Sequence, residues 1–347
     1  MAELSYKDQQ DLKNIEKIRE HLRILPRFCG EYFRSLEIRK STNTRKNYAY
    51  DLGVFFYFLK TNNPYFKDKD IHTLPIEVLD MITAMDVEEY LSYLESYTKD
   101  GKLYTNREEG KARKLSSLKS FYDYYFKKRT NPPRQVDVPK IKNKNIIRLD
   151  PNEIAQLLDE AESGEKLSGR QLASHEKTKV RDVAILTLLL GTGIRVSECV
   201  GLNLEDVDFN NGAIRIIRKG GNEALIYFGD EVSQALEAYM NGPRNTAEPA
   251  AGHEEALFIS LNKTRITTRS VERLVKKYSR LVTTVKKITP HKLRSTFGTA
   301  LYQETGDIYL VADTLGHKDV NTTKKHYAAI DEHRRRMAAN VVKLRES

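Results

Sequence analysis

Between residues 191 and 327 the 347-residue chain carries five short patterns in order. They are Gly191-Thr192-Gly193-Ile194-Arg195-Val196-Ser197-Glu198, Arg218-Lys219-Gly220-Gly221, His291-Lys292-Leu293-Arg294, Leu315-Gly316-His317 and Thr322-Thr323-Lys324-Lys325-His326-Tyr327. Arginine, lysine, histidine and a tyrosine are together the groups that could attack a phosphodiester. Such an attack builds a pentacoordinate transition state with extra negative charge on its equatorial oxygens. Two arginines can hold those oxygens bidentately, with fixed fork geometry and permanent charge. One arginine so placed is worth ~10³–10⁵ in rate, or roughly 4–7 kcal/mol. A phenol of pKa ~10 is a weak nucleophile at neutral pH and needs a base or a strongly positive pocket. The leaving 5′-oxygen needs a proton, which a lysine on a hairpin can deliver. This chemistry requires no metal, the sequence offers no dense carboxylate cluster to bind one, and no cofactor is expected.

Taken singly, each residue has a plainer explanation. Gly191 and Gly193 make a helix-ending turn, and the spacing of a phosphate-binding loop with Gly-Lys-Ser/Thr is absent. Arg195 would pair with Glu198 one turn along a helix. Lys219 would be a solvated turn residue, His291 a helix cap, Arg294 a surface residue, His317 part of a turn and Tyr327 a core aromatic. His291, His317 and His326 match no short zinc-ligand spacing.

The elements that must position these groups follow from periodicity. Leu12, Ile15, Ile18 and Leu22 recur at helical steps, as do Tyr48, Leu52, Phe55, Phe56 and Leu59. Val87, Tyr90, Leu91 and Leu94 repeat the pattern, then Leu115, Leu118, Phe121, Tyr122 and Tyr125. Ser41 or Thr42 signals the start of the second helix and Asp86 that of the third. A compact bundle of four or five helices is expected over residues 1–133, stopped at Asn131-Pro132-Pro133 because proline lacks a donor and displaces its predecessor. Residues 134–149, with Pro139 and Arg134, Lys140, Lys142, Lys144 and Arg148, read as a basic linker. A second domain over 150–347 opens at Asp150-Pro151-Asn152-Glu153, a helix cap with a first-turn proline and a carboxylate three residues on. It continues with a buried helix at about 179–190. Short strands follow at Val207–Phe209, Ile214–Ile217 and Ala224–Phe228, with turns at Asn210-Asn211-Gly212 and 219–222. Thr289-Pro290 starts a later helix. The fold class is mainly α, with a small antiparallel sheet in the second domain.

Composition narrows the partners. Lys plus Arg number 58 against 48 Asp plus Glu, a net charge of +10. Residues 101–150 alone hold 14 basic and 5 acidic residues. There, aromatic residues interleave with Lys111, Arg113, Lys114, Lys119, Lys127, Lys128 and Arg129, which suits a helix packed on one side and positive on the other. A basic excess points toward nucleic acid or an anionic membrane. No apolar run approaches the ~18–20 residues needed to span a bilayer, and the acidic, apolar-poor N-terminus is no secretory signal. Cys29 and Cys199 cannot build a disulfide framework.

The second domain resembles the catalytic domain of the tyrosine recombinases, the family of phage integrases and Xer recombinases. The matching pieces are G-T-G-I-R-V-S-E at 191–198, Lys219, H-K-L-R at 291–294, L-G-H at 315–317 and Tyr327 ten residues later. A weaker echo at 41–52, S-x-x-T-x-x-x-Y-x-x-D-L, resembles the family's core-binding domain, a SAM-like helical bundle. The resemblance implies that Arg195 and Arg294 grip the scissile phosphate and that Lys219 is the general acid. It implies likewise that His291 accepts a proton, His317 donates a hydrogen bond, and Tyr327 forms a 3′-phosphotyrosine. Glu198 would position Arg195. Candidate DNA contacts are Thr44, Arg45, Lys111, Arg113, Lys114, Lys119, Lys140, Lys142 and Arg218. The chain departs from the family at Arg218, where relatives often have Gly before the Lys, at Ser295, and at Ala328-Ala329-Ile330 after the tyrosine.

What the resemblance implies is a cytoplasmic, nucleoid-associated, site-specific DNA recombinase, Xer-like, working through a Holliday junction. Its partners would be double-stranded DNA with a paired-arm site and itself, as a homotetramer on two duplexes clamped between the two domains. An accessory DNA-bending or translocase protein is a further expected partner. The tail from Glu332 to Leu344, including His333-Arg334-Arg335-Arg336, resembles the helix that docks on a neighbouring protomer. The long first helix and an insert at about 163–178 are closer to single-recombinase Xer systems. Alternatives are an integrase of a mobile element, a nicking-closing topoisomerase, and an architectural DNA-binding protein without turnover.

Overall fold

A computed structural model describes residues 6–125, 131–139, 147–218, 221–317 and 319–320. The chain divides into two compact units, Met1–Lys144 and Asn145–Ser347. No helix among the described residues is long and apolar enough to cross a membrane.

The first unit is built from α1 (Tyr6–Leu22), α2 (Cys29–Ser35), α3 (Thr42–Asn62), α4 (Ala84–Tyr93), the hairpin β1 (Ser96–Lys99) and β2 (Lys102–Thr105), α5 (Glu108–Tyr125) and the short α6 (Pro132–Gln135). Ser41 caps α3, its hydroxyl accepting the Thr44 N–H at 3.3 Å. The start of α4 differs from expectation. Thr83 is the cap, and Asp86 sits inside the first turn with its carboxylate returned to the Thr83 N–H at 2.8 Å. A capping box satisfies two orphan donors, so the cap lies three residues before the carboxylate. The unit is also not wholly helical. Asp100 (φ 51°) and Gly101 (φ 71°) form a two-residue turn joining β1 to β2, the Asp-Gly pair that a right-twisted hairpin favours. Tyr93, Tyr97 and Tyr104 stack across it, with centroids 4.9 and 5.2 Å apart. Pro132 and Pro133 are buried and open α6, consistent with proline's tolerance in a first helical turn. The core joins Tyr32, Leu52, Phe55, Phe56, Leu118, Phe121 and Tyr122.

The second unit comprises α7 (Pro151–Ser163), α8 (Gly169–His175), α9 (Lys179–Thr192), α10 (Val196–Gly201), the strands β3 (Val207–Asp208), β4 (Ala213–Ile217) and β5 (Glu223–Tyr227), α11 (Asp230–Tyr239), α12 (Thr268–Val282), α13 (Pro290–Thr305) and α14 (Ile308–Leu315). The expected Asp150/Glu153 box starts α7, each carboxylate 2.9 Å from the other residue's N–H. The sheet is antiparallel in the order β3-β4-β5, with Ile214 opposite Ile226. Helix α9 is the centre: Ala184, Ile185, Leu186, Leu188 and Leu189 are buried, each large apolar side chain contributing ~1.5–3 kcal/mol.

The 163–178 segment contains α8, and a polar network holds it to the core. His175 is fully buried, and its Nδ1 lies 3.0 Å from the Tyr278 hydroxyl. That hydroxyl donates to Asp182 at 3.0 Å, and Thr178 and Arg181 donate to the same carboxylate at 3.0 and 2.7 Å. Burial, reinforced by the Lys277 cation, holds the His175 pKa below the ordinary 6.5. The folded protein therefore binds the His175 proton less tightly than the unfolded chain does, so stability falls as pH drops below about 6.5. Unfolding free energies from urea titrations between pH 7 and pH 5 should fall less steeply for His175→Gln than for the wild type, by up to ~1.4 kcal/mol per pH unit. Parallel slopes would show that His175 does not titrate with unfolding.

Candidate active site

The site is organised by two helix ends and the groups gathered there. Helix α9 stops at Gly193, which is left-handed (φ 62°). A Cβ at that position would lie 2.3 Å from Phe297 Cδ1 and 3.0 Å from Leu315 Cδ2. Glycine is therefore required twice, for its dihedral and for space. The chain turns directly into α10, whose first turn carries Glu198. One Glu198 oxygen accepts the Arg195 backbone N–H at 2.7 Å and the other accepts Arg195 Nη1 at 2.8 Å. The expected Arg195–Glu198 pair is thus present, with the carboxylate buried and the guanidinium about one-third exposed. Its neighbour Cys199 is buried, and burial pushes its thiol up to about 12, which leaves no thiolate at neutral pH.

Helix α14 ends at Gly316 (φ 62°), with the Gly316 N–H on the Asp313 carbonyl and the His317 N–H on the Ala312 carbonyl, both at 2.8 Å. This paired closure leaves later carbonyls to be satisfied from elsewhere. Arginines supply the donors. Arg218 bonds the Asp313 carbonyl at 3.3 Å and the Thr314 carbonyl at 3.1 Å. Arg294 donates to the Leu315 carbonyl, and Arg195 to Gly316 at 3.4 Å. The second Arg294 nitrogen donates to Gly193 O at 2.5 Å, which joins the two helix ends. A helix C-terminus carries partial negative charge, so it offsets the mutual repulsion of three cations.

Arg294 is 5% exposed, not the surface residue that it would be in isolation. Two of its partners are backbone carbonyls remote in sequence, Gly193 and Leu315. His291 stands in the first turn of α13, behind the cap Thr289 and Pro290, and is exposed. His317 is half-buried at the α14 turn. The structure thus brings Arg195, Arg218, Arg294 and the His317 backbone to one helix end. Lys219 and Tyr327 lie outside the described residues, as do His326, Lys127, Lys128, Arg129, Lys140, Lys142, Lys144 and the 332–344 tail.

The candidate DNA contacts of the first unit are differently placed. Lys111 is buried and bonds Glu95 at 2.8 Å and Glu108 at 3.2 Å. Lys114 is 4% exposed and donates to Asn106 at 3.0 Å. These two do not lie on the open positive face expected for α5. Lys119 donates to the Val136 carbonyl at 3.3 Å, and Arg45 pairs with Glu37 at 3.1 Å. Thr44 joins the Ser41 cap. Arg113 is exposed and reaches the buried Asp51, which also accepts from Ser117 at 2.7 Å.

The phage integrase family matches residues 147–334, the segment that contains all of these catalytic candidates. The chain belongs to that family. This recombinase is 33% identical over 329 residues to the tyrosine recombinase XerC of Caldanaerobacter subterraneus subsp. tengcongensis, covering 91% of this chain and 86% of the relative. It is 30% identical over 356 residues to the tyrosine recombinase XerS of Lactococcus lactis subsp. cremoris, covering 94% and 97%. Among solved structures, the XerH site-specific recombinase bound to its difH substrate shares the fold, with a TM-score of 0.61, 21% identity and coverage of 87% of this chain and 80% of that one. The protein is accordingly an Xer-like site-specific recombinase.

The geometry makes Gly193 a sensitive position. Gly193→Ala should destabilise the recombinase by roughly 2–4 kcal/mol, the sum of left-handed strain and overpacking against Phe297. Urea unfolding measures this, and a change below 1 kcal/mol (roughly a factor of 5 in equilibrium) would mean the backbone relaxes without cost.

Proposed function

We propose that Arg195 and Arg294 bind the scissile phosphate of duplex DNA and that Tyr327 attacks it. The observation that carries this reading is the placement of both guanidiniums on consecutive carbonyls, Leu315 and Gly316. Each spends part of its donor set on the helix end, which fixes its direction before substrate arrives. Preorganised donors of this kind stabilise charge as it develops and need no rearrangement in the transition state. In the proposed step the Tyr327 oxygen bonds to phosphorus, the P–O5′ bond breaks, His291 takes the phenolic proton and Lys219 protonates O5′. His317 supports a phosphate oxygen. The 3′-phosphotyrosine keeps the bond energy for rejoining to a partner strand's 5′-hydroxyl.

Stoichiometry follows from this chemistry. Each protomer offers one Tyr327, and exchanging both strands of two duplexes makes four cleavages, so four protomers act on two paired-arm sites through a Holliday junction. The reading places the protein in the cytoplasm, with the chromosome. It favours an Xer system, supported by the XerC and XerS relatives that align along most of their length. An accessory bending or translocating protein would act on this tetramer from outside the catalytic unit.

A nicked duplex carrying the true site, which loses the 5′-hydroxyl needed for rejoining, should trap wild-type protein covalently. Tyr327→Phe should bind the same duplex with unchanged affinity and give no adduct. Trapping by Tyr327→Phe, or none by the wild type on a verified site, would defeat the reading.

A further inference from the structure

We propose that Arg218 is a positioning residue, which ties the β4–β5 hairpin to the end of α14 and so fixes the place from which Lys219 acts. The proposal deepens, and rests on, the reading of Lys219 as general acid. Arg218 closes the hairpin tip with both of its backbone groups. Its N–H donates to Asn222 O at 2.8 Å, and its carbonyl accepts the Gly221 N–H at 3.0 Å. Its guanidinium then makes three bonds to α14, from Nη1 to the Asp313 carbonyl at 3.3 Å and from Nη2 to Asp313 at 3.4 Å and Thr314 at 3.1 Å. The contact is close enough that a Cβ on Gly316 would fall 2.2 Å from Arg218 Nη1. Gly316 thus leaves room for this side chain as well as turning the helix.

Side-chain packing does little for this end of the hairpin. Ile217 and Leu225 are 47% and 61% exposed, and β5 is an edge strand. The Arg218 side chain bonds the same helix end that Arg195 and Arg294 use. A residue one peptide away from an anchored Cα has its own Cα held at ~3.8 Å. Arg218 is therefore set in the same frame as Arg195 and Arg294, the C-terminal turn of α14, and Lys219 follows it by one peptide bond. This matters because proton transfer needs heavy atoms within hydrogen-bond reach, and a misplacement of about 1 Å can cost ~10²-fold. The departure from Gly at position 218 is explained by this bond set and not by a need for another phosphate ligand.

The test uses the full-length protein on nicked duplexes that carry either the normal phosphodiester or a 5′-bridging phosphorothiolate at the scissile position. In both, the tyrosyl–phosphorus bond forms and the bond to the 5′ atom breaks. An oxygen leaving group takes the Lys219 proton, whereas a thiolate leaves without one. Lys219→Ala, the control, should be slow on the phosphodiester and restored on the phosphorothiolate. Arg218→Ala should lose roughly 10- to 100-fold on the phosphodiester and stay within roughly threefold of wild type on the phosphorothiolate. Partial unfolding would slow both substrates alike, so the ratio of the two rates is insensitive to it. Equal slowing of both substrates by Arg218→Ala, or weaker duplex binding with a shallower salt slope, would overturn the positioning role. If Lys219→Ala is itself not rescued, the general-acid reading fails and the Arg218 proposal falls with it. Rescue of Lys219→Ala without rescue of Arg218→Ala rejects the Arg218 proposal alone.

Discussion

The catalytic unit depends on the unsatisfied carbonyls at the end of α14. Closure of the helix by the Gly316 and His317 N–H groups takes the Asp313 and Ala312 carbonyls, and those of Thr314, Leu315 and Gly316 accept in turn from Arg218, Arg294 and Arg195. Three guanidiniums brought together in water would repel one another. Here the partial negative charge of a helix terminus and the buried Glu198 carboxylate offset that repulsion. The Arg195 guanidinium stays about one-third exposed, with its permanent charge. A site whose cations are held in place without substrate is preorganised for phosphate chemistry.

The two glycines follow from this constraint. Gly316 lets α14 end where its carbonyls meet the arginines, and Gly193 brings the end of α9 close enough for its carbonyl to take the other Arg294 nitrogen. Phe297, one turn along α13 from Arg294, fills the space that a side chain at Gly193 would need.

Much of this was legible in the residues. The Asp150-Pro151-Asn152-Glu153 cap, the buried α9, the three short strands and the Arg195–Glu198 pair all depend on contacts within a few positions, which a linear pattern records. Features that depend on distant partners were not. Arg294 reads as a surface residue because its acceptors, Gly193 and Leu315, lie 101 and 21 positions away. Lys111 and Lys114 read as an open positive face, yet Glu95, Glu108 and Asn106 hold them inward. The net charge of +10 therefore overstates the cations available to phosphates from α5. The Asp100-Gly101 hairpin did carry a local signal, but four-residue strands are too short for alternation to stand out against the helical periodicity around them.

Two roles for positive charge emerge. Dispersed lysines and arginines set the long-range field that draws DNA, which salt screens. The helix-end arginines act at hydrogen-bond distance, where direction matters more than total charge. The most direct measurement is a crystal structure with duplex DNA and vanadate bridging Tyr327 and the 5′-hydroxyl, a mimic of the pentacoordinate transition state. Arg195 and Arg294 should lie on the equatorial oxygens while they still donate to the Gly316 and Leu315 carbonyls. Vanadate bound away from these two arginines, or guanidiniums that abandon Leu315 and Gly316 to reach it, would show that the helix end does not preorganise the phosphate site.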